Sequence, residues 1–249
     1  MGDIMNQDLV KAKDSFNELG WAIIKNEKIF ELVHSVKKIF IDDFKSRFGK
    51  KTSLNRELIK RFGDHPSVSS IYTDPKFVAA VREVSNISLP VFCGSLVTHY
   101  TANDLTGGGY GLPFHQDYPS MGSSLNSIIC WCNLTDANSK SHGVEVLSSM
   151  HKEGLLQGLQ TERGYIIDNE KYSKNFVEIP SVDAGNVLIM SAFLPHKTYV
   201  NPAHDGWKLS LSRRFDDLDE KSWENRGYKN AYDVSVDRGL YQTAISGSK

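Results

Sequence analysis

The stretch Leu112-Pro113-Phe114-His115-Gln116-Asp117-Tyr118-Pro119 decides how the rest of this chain is interpreted. In an extended strand, side chains two positions apart point to the same side, so His115 and Asp117 would face one side and Gln116 the other. An imidazole and a carboxylate on one face provide two of the three ligands of a 2-His-1-carboxylate iron site. The stretch therefore predicts a metal site that takes a second histidine from elsewhere in the chain.

His196 is the histidine best placed to complete that site. It follows the apolar, strand-like run Val187–Phe193 and precedes a second strand-like pair, Tyr199-Val200. A ligand at the end of a strand fits the way in which a facial triad is completed across a barrel. Structural or solvated positions are expected for His34, His65 and His204. His99 lies on a strand just upstream of the glycine-rich segment and could line the pocket, although a packed core position is favoured.

The spacing of apolar residues divides the chain into a helical part and a strand-rich part. Amphipathic helical patterns fill the first part, to about residue 86, around one short strand at Trp21–Ile24. Strand-like runs follow at Leu89–Tyr100, Ser127–Leu134, Gly143–Leu147, Val177–Ile179, Asn186–Phe193 and Lys208–Phe215. Many strands without regularly interleaved helices predict a mainly β sandwich or jelly roll with helices packed outside. We expect a single domain, with a β core at about 87–215 and a C-terminal tail at 216–249.

Composition narrows the class of partner. Lysine and arginine (29) nearly balance aspartate and glutamate (30), so no general electrostatic argument favours nucleic acid or an anionic membrane. No apolar run is long enough to span a bilayer, and the N-terminus lacks the pattern of a signal peptide. Cys130 and Cys132 lie in an apolar run and are predicted to be buried free thiols, which suits a reducing cytoplasm. A small metabolite is the expected substrate, and the oligomeric state is open between monomer and homodimer.

Three segments could border a site. The glycine-rich segment 103–111 is either a flexible connection or a mobile lid, and the polar segment 153–175 is either a substrate cap or a surface excursion. The tail from Asp216 could cover the mouth of a barrel or form dimer contacts.

Several motifs resemble one known family. Phe114-His115-Gln116-Asp117, followed by Cys130-Trp131-Cys132-Asn133-Leu134-Thr135-Asp136, is similar to the phytanoyl-CoA dioxygenase-like family, which the segments Leu147–Gly154 and Phe16–Ile24 also resemble. The resemblance implies a double-stranded β-helix (a cupin-like jelly roll) and an Fe(II)- and 2-oxoglutarate-dependent dioxygenase. It implies that His115, Asp117 and His196 are the catalytic metal ligands. Such an enzyme uses O2 to hydroxylate, or otherwise oxidise, a C–H bond and releases succinate and CO2.

The sequence departs from this family at one position. An arginine normally grips the distal carboxylate of 2-oxoglutarate, but the matching strand, Gly206–Phe215, has Lys208 there. Arginine offers a two-pronged fork to a carboxylate, whereas lysine offers a compact charge. We expect Lys208 to bind that carboxylate, with Arg214 as second choice because it lies on the same strand face and Arg213 on the other. Trp131 is expected to face the pocket, against the cosubstrate or as a core residue.

Two other functions stay open at this stage. A cupin-like metalloenzyme could use the same triad without 2-oxoglutarate. The presence of Lys208 in place of the family's arginine leaves this alternative open. A non-catalytic β-sandwich binding protein would need neither metal nor cosubstrate.

Overall fold

The first part of the chain forms helices around one strand. The computed structural model describes residues 2–102, 113–161, 164–172, 177–229 and 238–246. Its first elements are α1 (Gly2–Leu19), β1 (Trp21–Ile24), α2 (Glu27–Ile39), a π-helical turn (Phe40–Phe44), a 3-10 turn (Lys45–Arg47), α3 (Thr52–Gly63), α4 (Pro66–Thr73) and α5 (Pro75–Ser85). The side chains of Asn26 and Asp74 accept hydrogen bonds from backbone amides in the first turns of α2 and α5, which fixes where these helices begin.

Strands dominate from residue 90 onward. They are β2 (Pro90–Phe92), β3 (Val97–Ala102), β4 (Ile128–Asn133), β5 (Gly143–Leu147), β6 (Gly158–Thr161), β7 (Gly164–Ile167), β8 (Val177–Glu178), β9 (Val187–Ser191), β10 (His196–Tyr199) and β11 (Trp207–Asp217). Short helices lie between and after them: α6 (Tyr118–Met121), a 3-10 turn (Met150–Glu153), α7 (Asn169–Tyr172), α8 (Lys221–Asn225) and α9 (Arg238–Ser246). The predicted mainly β architecture with flanking helices is confirmed.

One predicted strand, Leu89–Tyr100, is wrong as a single element. The chain leaves the sheet at residues 93–96, between β2 and β3, although both strands pair with β11. Gly94 has φ +68°, a conformation that glycine adopts without strain and that interrupts an extended strand.

The strands form two antiparallel sheets. The major sheet has the order β1-β9-β4-β11-β2, with β3 also paired to β11. The minor sheet has the order β10-β5-β8, and β6 and β7 form a hairpin. His115 bridges both His196 on β10 and Ile166 on β7, and therefore connects the hairpin to the minor sheet.

Each face of the major sheet is covered by a separate apolar cluster. On the outer face, Cys130, Ile189 and Leu209 pack with the buried sides of the N-terminal helices. On the inner face, Trp131 and Leu188 pack with residues of the minor sheet such as Val146. Burial on both faces explains why β4 and β9 are apolar without alternation.

Two further predictions concern the cysteines and membrane-spanning segments. Cys93, Cys130 and Cys132 are all buried and outside any disulfide, as expected for the last two. Within the described ranges, no helix combines the length and the apolar character needed to cross a membrane.

Candidate metal centre

His115, Asp117 and His196 converge at one point between the sheets. One potential ligand atom from each lies within 4.8 Å of the others. The two imidazole rings have centroids 4.3 Å apart, and His115 Nε2 lies 3.5 Å from Asp117 Oδ1. Metal–ligand distances of about 2.0–2.2 Å allow one ion to contact all three atoms after small side-chain movements.

The backbone that brings these side chains together differs from the predicted continuous strand. His115 is extended and exchanges two backbone hydrogen bonds with His196, of 3.1 and 3.0 Å. Asp117 instead has helical dihedrals (φ −76°, ψ −26°) and directly precedes α6. The carboxylate therefore reaches the centre through a turn, and the alternation of an extended strand does not extend to it.

Gln116 fixes this turn, which sequence reasoning missed. Its side chain points away from the centre, as predicted, and is buried. Its Nε2 donates to the carbonyl oxygens of Phe193 (2.6 Å) and Gly154 (2.8 Å), and its Oε1 accepts from the amide of Leu156 (2.9 Å). Three hydrogen bonds from one amide side chain hold His115 and Asp117 in place on either side of it.

Both histidines are oriented by backbone carbonyls. Nδ1 of His115 lies 3.0 Å from the oxygen of Pro113, and Nδ1 of His196 lies 3.0 Å from the oxygen of Leu194. When Nδ1 carries the proton and donates to the carbonyl, Nε2 keeps a free lone pair, as in metal-binding histidines. Burial, followed by the nearby His115, lowers the pKa of His196 to about 4, so this imidazole is neutral at pH 7.

Arg214 holds the carboxylate of Asp117. Arg214 Nη2 donates to Asp117 Oδ2 at 3.0 Å, and the two side chains are only 7% and 13% exposed. Burial alone would raise the pKa of Asp117, but Arg214 and the contact with His115 keep it well below its usual value. Asp117 is therefore ionised, with Oδ1 turned towards His115 and Oδ2 bound to Arg214. Arg214, our second choice for a cosubstrate carboxylate, instead contacts a candidate metal ligand.

The inner face of β11 connects this centre to Lys208. Residues directly opposite each other in an antiparallel pair share a face, and Trp131 lies opposite Ser212. Lys208, Ser212 and Arg214 therefore point to the inner side. Arg213 points outward, and its guanidinium lies 4.0 Å from the centre of the Phe92 ring.

Lys208 is a buried cation. It is 2% exposed, its Nζ donates to the carbonyl oxygen of Gly143 at 2.9 Å, and it lies 4.9 Å from the ring centre of Trp131. Among the described side chains, none forms an ion pair with it. Burial lowers the pKa of Lys208 to about 7. The roles of Lys208 and Trp131 towards a cosubstrate stay predictions.

His99 lines the recess between Lys208 and the metal centre, so the expected core position is wrong. It lies opposite Ser210 on the inner face and is exposed. Its pKa is nevertheless lowered to about 4, first by desolvation and then by the charges of Lys208 and Arg214. A group that touches solvent while protein surrounds it lies in a cavity, which reconciles its exposure with this pKa.

Within the segment 153–175, the described hairpin β6–β7 lies beside His115. His115 bridges Ile166, and the amide of Ile167 donates to the carbonyl oxygen of Phe114 at 3.0 Å. Tyr165 is buried, and its hydroxyl donates to Leu156 O at 2.7 Å. This hairpin is thus packed against the stretch that carries His115. The proposed lid at 103–111 lies outside the described residues.

Helix α9, in the C-terminal tail, packs against aromatic residues next to the candidate ligands. The ring of Tyr241 on α9 lies 5.9 Å from the ring of Tyr118 and 5.5 Å from that of Phe193. Tyr118 directly follows Asp117, so α9 packs behind the turn that carries the carboxylate.

Comparisons with known proteins identify the fold. No protein-family profile and no curated protein matches this chain. Among solved structures it is similar to the non-haem, alpha ketoglutarate-dependent carbocyclase SnoK from nogalamycin biosynthesis, with TM-score 0.62 and 12% identity over 92% of this chain and 93% of that one. It is also similar to the epimerase SnoN in complex with Fe3+, alpha ketoglutarate and nogalamycin RO, with TM-score 0.61 and 13% identity over 85% and 84% of the two chains. EvdO2 from Micromonospora carbonacea var. aurantiaca, complexed with 2-oxoglutarate, matches with TM-score 0.61 and 15% identity over 84% and 90%. At these identities the similarity shows a shared fold, which extends over most of each chain.

Proposed function

We propose that this chain is an Fe(II)- and 2-oxoglutarate-dependent dioxygenase of the phytanoyl-CoA dioxygenase-like family, with its two sheets forming a double-stranded β-helix. The observation that carries the proposal is the convergence of His115, Asp117 and His196, each of which offers one potential ligand atom within 4.8 Å of the others. Solved structures with the same fold hold iron and alpha ketoglutarate, or 2-oxoglutarate, which supports the same ligands here.

The donor set suits iron(II). Two imidazoles and one carboxylate on a single side of an ion form the facial triad of non-haem iron oxygenases and leave other positions open. With 2-oxoglutarate and O2, iron(II) held by these residues would supply oxidative decarboxylation to succinate and CO2, coupled to oxidation of a substrate C–H bond. Because the carboxylate ligand Asp117 is present, we favour hydroxylation, or another oxidation such as desaturation or ring closure, over halogenation, in which a small residue replaces that ligand.

The side chains around the triad have distinct roles in this proposal. Arg214 positions Asp117 so that Oδ1 faces the ion, and the carbonyls of Pro113 and Leu194 present Nε2 of the two histidines. Lys208 binds the distal carboxylate of 2-oxoglutarate, and Trp131 packs beside it. The apolar cluster between the sheets excludes water from the reacting groups.

A small molecule is the proposed substrate. The recess at His99 is lined by single polar groups and lies between two sheets, as in other small-molecule sites. SnoN was crystallised with the small molecule nogalamycin RO in addition to alpha ketoglutarate, which supports this class. Three buried free thiols favour a reducing cytoplasm for the protein.

Anaerobic spectroscopy tests the proposal. Iron(II) and 2-oxoglutarate added to the protein without oxygen should give a weak visible charge-transfer band, and admission of air should give succinate. His196→Ala should abolish both signals, whereas His34→Ala, a histidine exposed on α2, should leave them unchanged.

Other outcomes point to the two remaining readings. Tight iron binding without a band or succinate would favour a cupin-like metalloenzyme that does not use 2-oxoglutarate. Absence of metal binding in the wild-type protein would favour a non-catalytic binding protein and would overturn the proposal.

A further inference from the structure

The side chain of Tyr241 on α9 contacts three separate segments of the chain. Its ring lies 5.9 Å from the ring of Tyr118 and 5.5 Å from the ring of Phe193. Its hydroxyl lies against Gly154, where an added Cβ would overlap the hydroxyl oxygen. Tyr241 is partly buried and packs against the inner apolar cluster. The three contacted residues lie far apart in the sequence and meet only around this ring.

Two of the contacted residues hold the turn at Asp117. Tyr118 directly follows this carboxylate in the chain and is fully buried. Gly154 supplies the carbonyl oxygen to which Gln116 Nε2 donates at 2.8 Å. Tyr241 therefore packs against the residue that follows Asp117 and against an acceptor that fixes the residue before it.

The third contacted residue, Phe193, belongs to the turn that leads to His196. Its ring stacks on Tyr118 with centroids 4.2 Å apart, and its carbonyl oxygen accepts from Gln116 Nε2 at 2.6 Å. The next residue, Leu194, provides the carbonyl oxygen that orients Nδ1 of His196. One aromatic side chain thus connects the segments on which all three candidate ligands lie.

The geometry of these contacts suits a restraint on position. The rings of Tyr241 and Tyr118 meet edge to face, with an interplanar angle of 74°, which is a favourable arrangement for an aromatic pair. A tyrosine ring is rigid and has few rotatable bonds, so a docked ring limits the movement of the groups around it. Metal–ligand bonds are short and closely defined in length, and small displacements of a ligand segment therefore weaken metal binding.

We infer that Tyr241 is a positioning residue for the metal centre, with α9 as the element that brings it there. The inference rests on the proposed function and deepens it. Tyr241 acts through Tyr118, Gly154 and Phe193, which hold the segments that carry the ligands. Iron(II) affinity therefore depends on the docking of the C-terminal helix, and by linkage the binding of iron(II) favours the docked helix by the same factor.

Calorimetric titration with iron(II), without oxygen, tests the role of the ring. Tyr241→Leu removes the ring and should weaken iron(II) binding about 10-fold, at the lower end of the effect of groups that orient metal ligands. Tyr241→Phe keeps the ring and should bind iron(II) as the wild type does. Circular dichroism establishes the temperature at which each variant is folded, and the titrations are made there.

A matched variant separates this role from a general effect of the tail. Tyr228→Leu makes the same substitution in the same tail, at a ring that packs on Trp223 with centroids 5.3 Å apart, and should bind iron(II) normally. If Tyr241→Leu binds iron(II) as tightly as the wild type, or if Tyr228→Leu weakens binding equally, the inference is overturned while the proposed function stands.

Hydrogen exchange of the wild-type protein provides a test without any variant. Iron(II) should slow amide exchange several-fold more in α9 than in α2, which packs on the outer face of the major sheet, because binding and docking are linked. Equal slowing in the two helices would contradict the inference. If the wild-type protein binds no iron(II), the proposed function itself fails.

Discussion

The two faces of the major sheet are built from the same strands but differ in chemistry. Along β11, Leu209 and Leu211 point outward into the apolar cluster under the helices, whereas Lys208, Ser210 and Arg214 point inward. The outer face makes a hydrophobic core, and the inner face combines a smaller core with buried charges. A strand that is buried on both sides can therefore carry a site on one face without interrupting the core on the other.

Adjacent arginines illustrate this difference most sharply. Arg213 lies over the Phe92 ring on the outer side, and Arg214 binds Asp117 on the inner side. Because consecutive residues of a strand point to opposite faces, Arg213 makes a cation–π contact while Arg214 binds a candidate metal ligand. Substitutions that alter one face at a time test this difference.

The largest effect is expected at Arg214. Arg214→Met leaves Asp117 buried without its counter-charge, and loss of one partner of a buried pair costs about 3–5 kcal/mol of unfolding free energy. Arg213→Met, the matched change on the outer face, removes a cation–π contact and should cost about 0.5–1 kcal/mol. Chemical denaturation of both apo variants measures the difference. Equal losses at the two positions would contradict the assigned roles.

A core substitution on the outer face should separate stability from binding. Leu211→Ala opens a cavity under α4 and should cost about 2–5 kcal/mol. Its side chain points away from the recess, so 2-oxoglutarate affinity, measured by calorimetry at a temperature where the variant is folded, should stay within about twofold of the wild type. A large loss of affinity would mean that the two faces are not independent.

Residue patterns predicted the three residues of the candidate metal centre, which the structure brings together, better than the surroundings that orient them. His115, Asp117 and His196 could be named because the required residue types stand in strand-like segments. The turn at Asp117 could not be predicted, because it depends on hydrogen bonds from Gln116 to distant carbonyl groups. The residues that surround Lys208 could not be predicted for a related reason. Thr101 becomes its neighbour only through the register of β3 with β11, and local sequence carries no information on that pairing.

The position of His99 also could not be predicted from the local sequence. A histidine within an apolar strand pattern is usually packed in a core. The alternation of side chains along a strand gives the two faces, but it does not say which of them borders a recess. The pairing of strands decides which face His99 occupies, because β3 pairs with β11 and His99 lies opposite Ser210 on the inner face. Hydropathy identifies buried strands, but it does not distinguish a packed face from one that lines a cavity.

Lys208 is expected to lower the unfolding free energy of the apo protein and to bind 2-oxoglutarate. Its folded-state pKa of about 7 is below the ordinary 10.5, so its charge destabilises the folded state fully below pH 7, and this penalty disappears as the pH rises to about 10.5. Lys208→Met should therefore raise the unfolding free energy of the apo protein by about 1–3 kcal/mol at pH 7 and by less at pH 9. The same variant should lose 2-oxoglutarate binding. Thermal denaturation at both pH values is the measurement, and a less stable variant at pH 7 would contradict the buried charge.

The smallest effect is a pH dependence of 2-oxoglutarate affinity that is specific to Lys208. A bound carboxylate favours the charged ammonium and raises the pKa of Lys208 above the value of about 7 that it has without ligand. Below pH 7 the lysine is charged both with and without ligand, so affinity should be flat. Above pH 7 a proton must be taken up on binding, and affinity should fall up to about tenfold per pH unit.

Neighbouring titratable groups do not mimic this profile. The pKa of His99 is about 4 and that of His142 is also lowered, so both imidazoles stay neutral above pH 7. Lys208→Arg, which stays protonated throughout, should give a flat profile from pH 7 to 9 if the guanidinium is accommodated. Calorimetry in buffers of different ionisation enthalpy counts the proton directly. If the wild-type affinity is constant from pH 6 to 9 and no proton is taken up, Lys208 does not bind the carboxylate. Arg214 would then be the other cation on the inner face of β11 that could bind it.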